Sequence, residues 1–390
     1  MLVAVNRYIE ILKNSAGYTR TLGAVDVLMK DASGRPCCFV GNRSAVFKIR
    51  REGRVMMLKC YTCPKPNLRR IYGDRCLHDE IFIPCGASGE YVDAVLTEWV
   101  EGRSLMSVLR ESAGDGVAMR RLAEEFDRFA LELLEADWAH GDLKPENIIV
   151  DAGGVMHAID FDAVYRPDLA DLANDETGTA AFQHPLRTAE FYNKSIDDYP
   201  VALISTALHA MSLDTSLCGR FGIDEELLID PREAVKNRSA ALDAVLELFA
   251  ARCMGVEYRI AQMLKSPVPV LRGLTEMMRL LVRGGVGVED KIPRLAQSDG
   301  LWGYAVEGRF VIPPVFDCGF EFSEGLAAVK LGNRYHYIST DGRAVLSPGV
   351  CDAVKPFSGG RAVVIRGGER ITIDRSGGTV DISDRERVQN

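Results

Sequence analysis

The stretch His140-Gly-Asp-Leu-Lys-Pro-Glu-Asn147, followed thirteen residues later by Asp160-Phe-Asp162, brings carboxylates, a lysine and a side-chain amide together in a short span. These groups suit phosphoryl transfer. That reaction needs a carboxylate beside the accepting hydroxyl, a cation on the moving phosphate, and oxygen ligands for Mg²⁺. Asp142 fits the first role, Lys144 the second, and Asn147 with Asp160 the third. The stretch falls on a loop: a long amphipathic run, Met119–Asp137, precedes it, and two short β-type runs, Asn147–Val150 and Met156–Ile159, follow.

In this order the residues resemble the protein kinase family, whose catalytic loop reads H-R-D-x-K-x-x-N and whose metal motif reads D-F-G. The resemblance implies an α+β fold with two lobes, β-rich then helical, binding ATP and Mg²⁺ between them. It extends to other positions. Lys59, in Met-Met-Leu-Lys, matches the strand lysine that pairs with the α/β-phosphates. Gly41 is the surviving glycine of a degraded Gly-rich loop that leads to Val46, with Phe39 and Ser44 where the other glycines belong. Glycine lets backbone approach phosphate closely, so this loop is expected to hold nucleotide less snugly. Thr97-Glu98-Trp99-Val100 resembles the hinge between lobes, with Thr97 as gatekeeper and the backbone near Glu98 and Val100 facing adenine. Gly178-Thr179 through Pro185 resembles the end of an activation segment, with Thr179 touching the catalytic loop. Asp197 matches the buried aspartate that accepts hydrogen bonds from that loop, or serves as a simple helix cap. Arg259 matches the closing arginine of the helical lobe, although its usual glutamate partner has no counterpart.

Three departures matter. The glutamate expected to pair with Lys59 from a following helix has no clear candidate among Asp74, Asp79 and Glu80. Gly141 stands where many kinases carry an arginine that reads an activation-loop phosphate, which disfavours a phosphate-operated switch. Asp162 replaces the glycine of the metal motif and is read as a turn residue, with a further metal ligand as the alternative.

His-Gly-Asp and Ile159-Asp-Phe-Asp are also how aminoglycoside and choline phosphotransferases write this loop. Lys144-Pro145-Glu146 is the Ser/Thr-type form, and the segment to Pro185 resembles one that positions a peptide. The leading expectation is therefore a Ser/Thr protein kinase acting on a protein substrate. A small-molecule kinase and a nucleotide-binding pseudokinase scaffold are the alternatives.

The elements that must position these groups divide the chain. Residues 1–35 read as an extension packing on the N-lobe, 36–101 as that lobe, and 102–288 as the helical lobe. The linker is placed at Gly284–Asp290. Residues 295–384 read as a β-rich repeat domain. Within the tail, Trp302-Gly303-Tyr304 returns as Tyr335-His336-Tyr337, and Phe322-Ser-Glu-Gly-Leu-Ala-Ala-Val329 as Phe357-Ser-Gly-Gly-Arg-Ala-Val-Val364. Arg370-Ile-Thr-Ile373 begins a partial third copy. Such self-similarity marks stacked units that cannot bury their apolar faces alone. The copies resemble WG-repeat proteins, which implies an interaction array for a protein partner or a docked structural extension.

Composition narrows the rest. With 390 residues and a net charge of −8, the chain is not built to grip nucleic acid through phosphates. No apolar run is long enough for a membrane span and the start lacks a secretory pattern, so the expected location is cytoplasmic. The ten cysteines, including Cys60-x-x-Cys63, Cys76 and Cys85, lack zinc-finger spacing and read as buried free thiols. Nine acids against three bases in residues 160–198 suggest a lean toward basic substrates.

Overall fold

The computed structural model describes residues 2–86, 88–172, 176–223, 226–283 and 292–380. The linker read at Gly284–Asp290 lies outside the described residues, as does the end of the tail from 381 on. The protein is mixed α+β, with small β-rich sheets at its C-terminal end.

The first body is a six-stranded antiparallel sheet. Its main path runs Asp26–Val27, Ser44–Arg51, Arg54–Tyr61, Ser88–Glu98, Cys76–Cys85, and Phe39–Val40 pairs along Ser44–Arg51. Side chains alternate across a strand, so one register sorts the residues onto two faces. Ala45, Phe47, Ile49, Leu58, Cys60 and Ala94 are buried on one of them. That face is closed by the N-terminal chain, whose helix Val5–Leu12 contributes Tyr8, Ile9, Ile11 and Leu12 to the same core. The Tyr8 hydroxyl donates to the Tyr61 carbonyl at 2.6 Å. Further along, Glu80 fastens the chain by accepting from Thr21 N, Thr21 Oγ1 and Leu22 N at 2.6–2.8 Å. The opposite face carries Lys59 between Val46 and Val95 in register, with Thr97 opposite Met57 one step along.

Helices follow. Leu105–Ser112 starts on the Ser104 side chain, which accepts from Ser107 N, and Gly116–Glu135 starts on Asp115, which accepts from Val117 N and Ala118 N. The longer helix buries Met119, Ala123, Phe126, Ala130 and Leu133 against Asp198–Leu213, a helix with an almost wholly buried surface. Asp127 is buried in that contact and accepts from Ser205 Oγ while meeting His209 Nε2, both at 2.7 Å. Between these two helices the chain makes the short pairing of Ile148–Val150 with Met156–Ala158, the β-type runs expected there. No helix among the described residues is long and apolar enough to cross a membrane.

The tail forms three small antiparallel sheets, Arg294–Phe316, Cys318–Val350 and Ala353–Asp374. Equivalent contacts recur. Tyr304 donates to the Phe320 carbonyl and packs 4.8 Å from the Phe322 ring. Tyr337 donates to the Lys355 carbonyl and packs 4.8 Å from Phe357. Asp317 accepts from Gly332 N as Asp352 accepts from Gly368 N. In the Trp-Gly pair a Cβ on Gly303 would meet the Ile312 carbonyl oxygen at 2.6 Å, so backbone contact demands glycine there. Tyr304, Ile312, Val315, Phe316, Val329, Leu331 and Ile338 belong to the same buried cluster as the helical body. This is the docked arrangement, while Tyr335, Tyr337, Phe357, Val364 and Ile373 form a separate outer core.

Of the four cysteines weighed for a zinc site, Cys60 is buried, Cys63 and Cys76 are half-buried and Cys85 is exposed. All ten are free thiols. Burial pushes the Cys60 thiol well above its ordinary range, and Cys63 Sγ accepts from Arg43 Nε at 3.2 Å. The expectation of burial therefore holds fully for Cys60 alone in this group, because Cys85 sits at the strand end beside the turn at Gly86.

Candidate functional site

The loop His140–Asn147 is held from three sides. Asp197, almost fully buried, accepts from His140 N and from Gly141 N, the latter at 2.9 Å. It makes no side-chain cap for the following helix, so of its two sequence readings the loop contact is the one observed. His140 Nε2 meets the Ile159 carbonyl at 2.7 Å, and its ring lies 5.2 Å from Phe161. Ile159 N in turn donates to the Asn147 carbonyl. The two motifs are thus bound to each other through backbone.

Asp142 sits at the centre. Its Oδ1 accepts from Thr179 N at 2.6 Å, and its Oδ2 lies 3.2 Å from Asn147 Nδ2 and 3.4 Å from Lys144 Nζ. Lys144 also donates to Thr179 Oγ1 at 2.8 Å, which is the expected contact between that threonine and the loop. Asn147 spends its amide NH₂ on Asp142, on the backbone carbonyl at 2.8 Å as well as the carboxylate. Its amide oxygen is left as a donor for a cation. Asp160 adds a carboxylate on backbone with φ +65°, a sparsely populated conformation for a non-glycine residue and one that collects at functional sites. An aspartate and an amide oxygen form a hard, all-oxygen set that suits Mg²⁺.

Lys59 reaches this centre from the sheet. Its ammonium is buried and lies 2.6 Å from Asp160 Oδ1 and 2.8 Å from Asp162 Oδ2. The two carboxylates outweigh the cost of burial and hold Lys59 above its ordinary value. Asp162 lies in a turn, as expected, closed by Val164 N on the Phe161 carbonyl, and its side chain does more than serve that turn. Its Oδ1 accepts from Tyr61 and Tyr72 hydroxyls at 2.8 and 2.5 Å. Burial raises its carboxyl, but Lys59 and the two phenols hold it below the usual range.

None of the three acids weighed as the Lys59 partner takes that place. The segment after Lys59 makes only a five-residue helix, Leu68–Tyr72, with no acid in it. Asp74 lies in the turn that follows. Asp79 and Glu80 are already in the strand Cys76–Cys85. Asp79 lies 3.1 Å from His78 and donates its N–H to Asp93, and Glu80 holds the N-terminal chain.

The remaining sequence-marked positions surround the Lys59 face. Val46 is directly opposite Lys59. Gly41 closes the turn before it, donating from N to the Ser44 carbonyl at 2.8 Å. Thr97 and Glu98 end their strand, Trp99 N donates to the Val55 carbonyl, and Val100 follows half-buried. Phe39 stacks on Trp99 with rings 6.2 Å apart, so an aromatic pair joins the turn to this edge.

Gly141 has a steric reason. Its φ is +83°, and a Cβ there would lie 2.0 Å from the Ala163 carbonyl oxygen, which excludes arginine. Arg187, unmarked in the sequence, instead donates to the Gly141 carbonyl at 2.7 Å from a buried position. Tyr61 and Tyr72 were likewise missed. Tyr61 had a signal, since it stands two residues beyond Lys59 on the same strand face.

The acids of residues 160–198 are largely met within the chain. Asp160 and Asp162 face Lys59, Asp168 pairs with Arg166, Asp171 with Arg70, Glu176 with Lys65, and Asp197 with loop backbone. Their number alone is therefore weak support for a basic substrate.

Two comparisons with known proteins bear on this arrangement. The family model "WG containing repeat" matches residues 306–335 and 337–369, within the stacked sheets. A Dictyostelium discoideum protein, named a probable serine/threonine-protein kinase, is 37% identical over 100 residues. That stretch covers 25% of this chain and 13% of the relative's length. The chain carries a WG-repeat region and a partial similarity to a serine/threonine kinase.

Proposed function

We propose that the chain is a protein kinase-like phosphotransferase that moves the γ-phosphoryl group of Mg²⁺-ATP onto Ser/Thr hydroxyls of a cytoplasmic protein substrate. In this reading the sheet and the helical body are the two lobes, and the face bearing Val46, Lys59 and Thr97 lines the nucleotide cleft. Gly41 lies over the phosphates, and the backbone near Glu98 and Val100 meets adenine. Lys59 holds the α/β-phosphates. Asp160 and Asn147 hold Mg²⁺, which when bound neutralises charge on the phosphates. Asp142 orients the accepting hydroxyl and takes its proton, and Lys144 faces the transferred group. Thr179 keeps both residues aligned from the substrate side. The WG-repeat region supports the helical body and leaves its outer units for a partner.

The observation that carries this reading is the convergence of three separate segments, the strand with Lys59, the loop with Asp142 and Asn147, and the motif with Asp160, onto one connected set of contacts. Labelled phosphate transfer tests it, with wild type and Asp142→Asn assayed side by side on proteins, on the chain itself, and on hydroxylated small molecules. Transfer to protein that falls by about 10²–10⁴-fold in the variant is expected, the usual worth of a positioned acid–base group. Transfer to small molecules alone would move the assignment to that class. ATP binding with no turnover in wild type would make the chain a scaffold.

A further inference from the structure

A buried ammonium needs a fixed countercharge, because an unpaired charge away from water is costly. Lys59 has two within reach, and they are not equivalent. The Asp160 side chain is 43% exposed, whereas that of Asp162 is 12% exposed and Lys59 itself only 2%. Asp162 is tied by three donors on two different elements: Lys59 and Tyr61 from one strand, and Tyr72 from the short helix. That helix is itself fastened to the chain beyond the motif. Arg166 donates to the carbonyls of Arg70 and Ile71 at 2.8 Å, and Arg70 pairs with Asp171. Asp160 can turn toward a cation without unfolding anything. Asp162 cannot leave.

We propose that Asp162 is the positioning residue for Lys59, holding the lysine for nucleotide phosphates while Asp160 is released to Mg²⁺. This rests on the nucleotide-binding reading above and deepens it. The motif Asp160-Phe-Asp162 then divides labour between its two acids: the first faces the ligand and the second anchors the cation from the sheet. The countercharge for Lys59 comes from the metal motif itself, so no separate helix has to swing in to complete the site.

The test uses the full chain and ATP as probe, titrated in EDTA and again in excess Mg²⁺. Asp162→Asn is expected to weaken ATP about tenfold in both media, and Asp162→Glu to recover most of that loss. Asp160→Asn should weaken ATP only where Mg²⁺ is present. If Asp162→Asn binds ATP like wild type in EDTA and loses only the Mg²⁺ response, Asp162 is a metal ligand and the proposal fails. Should Asp162→Asn not fold, Tyr72→Phe loosens the same carboxylate, and unchanged ATP affinity there would also overturn it. A double-mutant cycle of Lys59→Met with Asp162→Asn or, in its place, Tyr72→Phe, read by urea unfolding, needs no ligand. Non-additive effects are expected, and additive ones reject the anchor even if the chain binds no nucleotide. Loss of the phosphotransfer reading therefore shows separately, as absent turnover with the coupling intact.

Discussion

Arg259 Nη2 lies 2.8 Å from Asp317 Oδ1, and Arg259 Nε donates to the Val315 carbonyl at the same distance. The guanidinium is buried, and the first WG-type unit supplies its carboxylate partner, while Gln262 on its own helix accepts from Nη1 at 2.6 Å. Arg259→Ala should take that donor from the Val315 carbonyl, leave Asp317 with Gly332 N alone, and destabilise the chain by about 2–4 kcal/mol, read by urea unfolding. Asp317→Asn, at a partly exposed position, should cost about 1 kcal/mol or less. Equal and small effects from both would mean the contact carries no stability.

Removing residues 292–390 should do more than change solubility. Gly255 packs under Val315, with 2.4 Å between a Cβ placed there and Val315 Cγ2, and Tyr258 is buried beside Gly332. The truncated chain would expose this apolar seam, and its thermal midpoint should fall by several degrees or folding should fail. A truncated protein that melts with the full chain would show the docking to be incidental.

The loop His140–Asn147 was legible because its chemistry is local: eight consecutive residues, then a second motif thirteen positions on. The repeat spacing of the tail was legible for the same reason. The Lys59 partner was not. Lys59 and Asp160 meet across 101 residues of chain, and nothing in the intervening spacing says that a strand and a loop will close on each other. Asp162 was legible as a turn residue, a common place for aspartate, but its second role was not. Only the tyrosine hydroxyls and the ammonium around it reveal an anchored carboxylate. Arg259 shows the same limit, with half of the pair visible on a helix and the other half on a bend between two strands of the tail.

Asp198 is buried at the start of its helix, and burial raises its carboxyl to about 6 despite the hydrogen bond from Leu271 N. A folded-state value above the unfolded one means the native state binds the extra proton. Stability from this group is therefore present below about pH 4 and is lost as pH rises through 6. Asp198→Asn should stabilise the chain at pH 8 by on the order of 1–3 kcal/mol, with the gain vanishing near pH 4. A gain independent of pH would refute this account.

Glu80 anchors the N-terminal chain rather than Lys59. Glu80→Ala leaves two backbone N–H groups and a hydroxyl without their acceptor, at a cost of about 2–4 kcal/mol. Limited proteolysis near Arg20 should quicken, while ATP affinity of the folded fraction stays as in wild type. Loss of nucleotide binding along with unchanged proteolysis would reverse the assignment.

The outer units of the tail are joined in series. Glu324 accepts from Gly359 N and Gly360 N and meets Arg375, while Ser323 Oγ donates to the Phe357 carbonyl. The third unit is thus braced mainly by the one before it, whereas the first two share the core of the helical body. Opening must then begin at the far end and travel inward, like a staircase losing its lowest step first. Amide exchange should be fastest along Glu369–Asp374, slower along Arg334–Ser339, and slowest where Leu301–Val306 meets the helices.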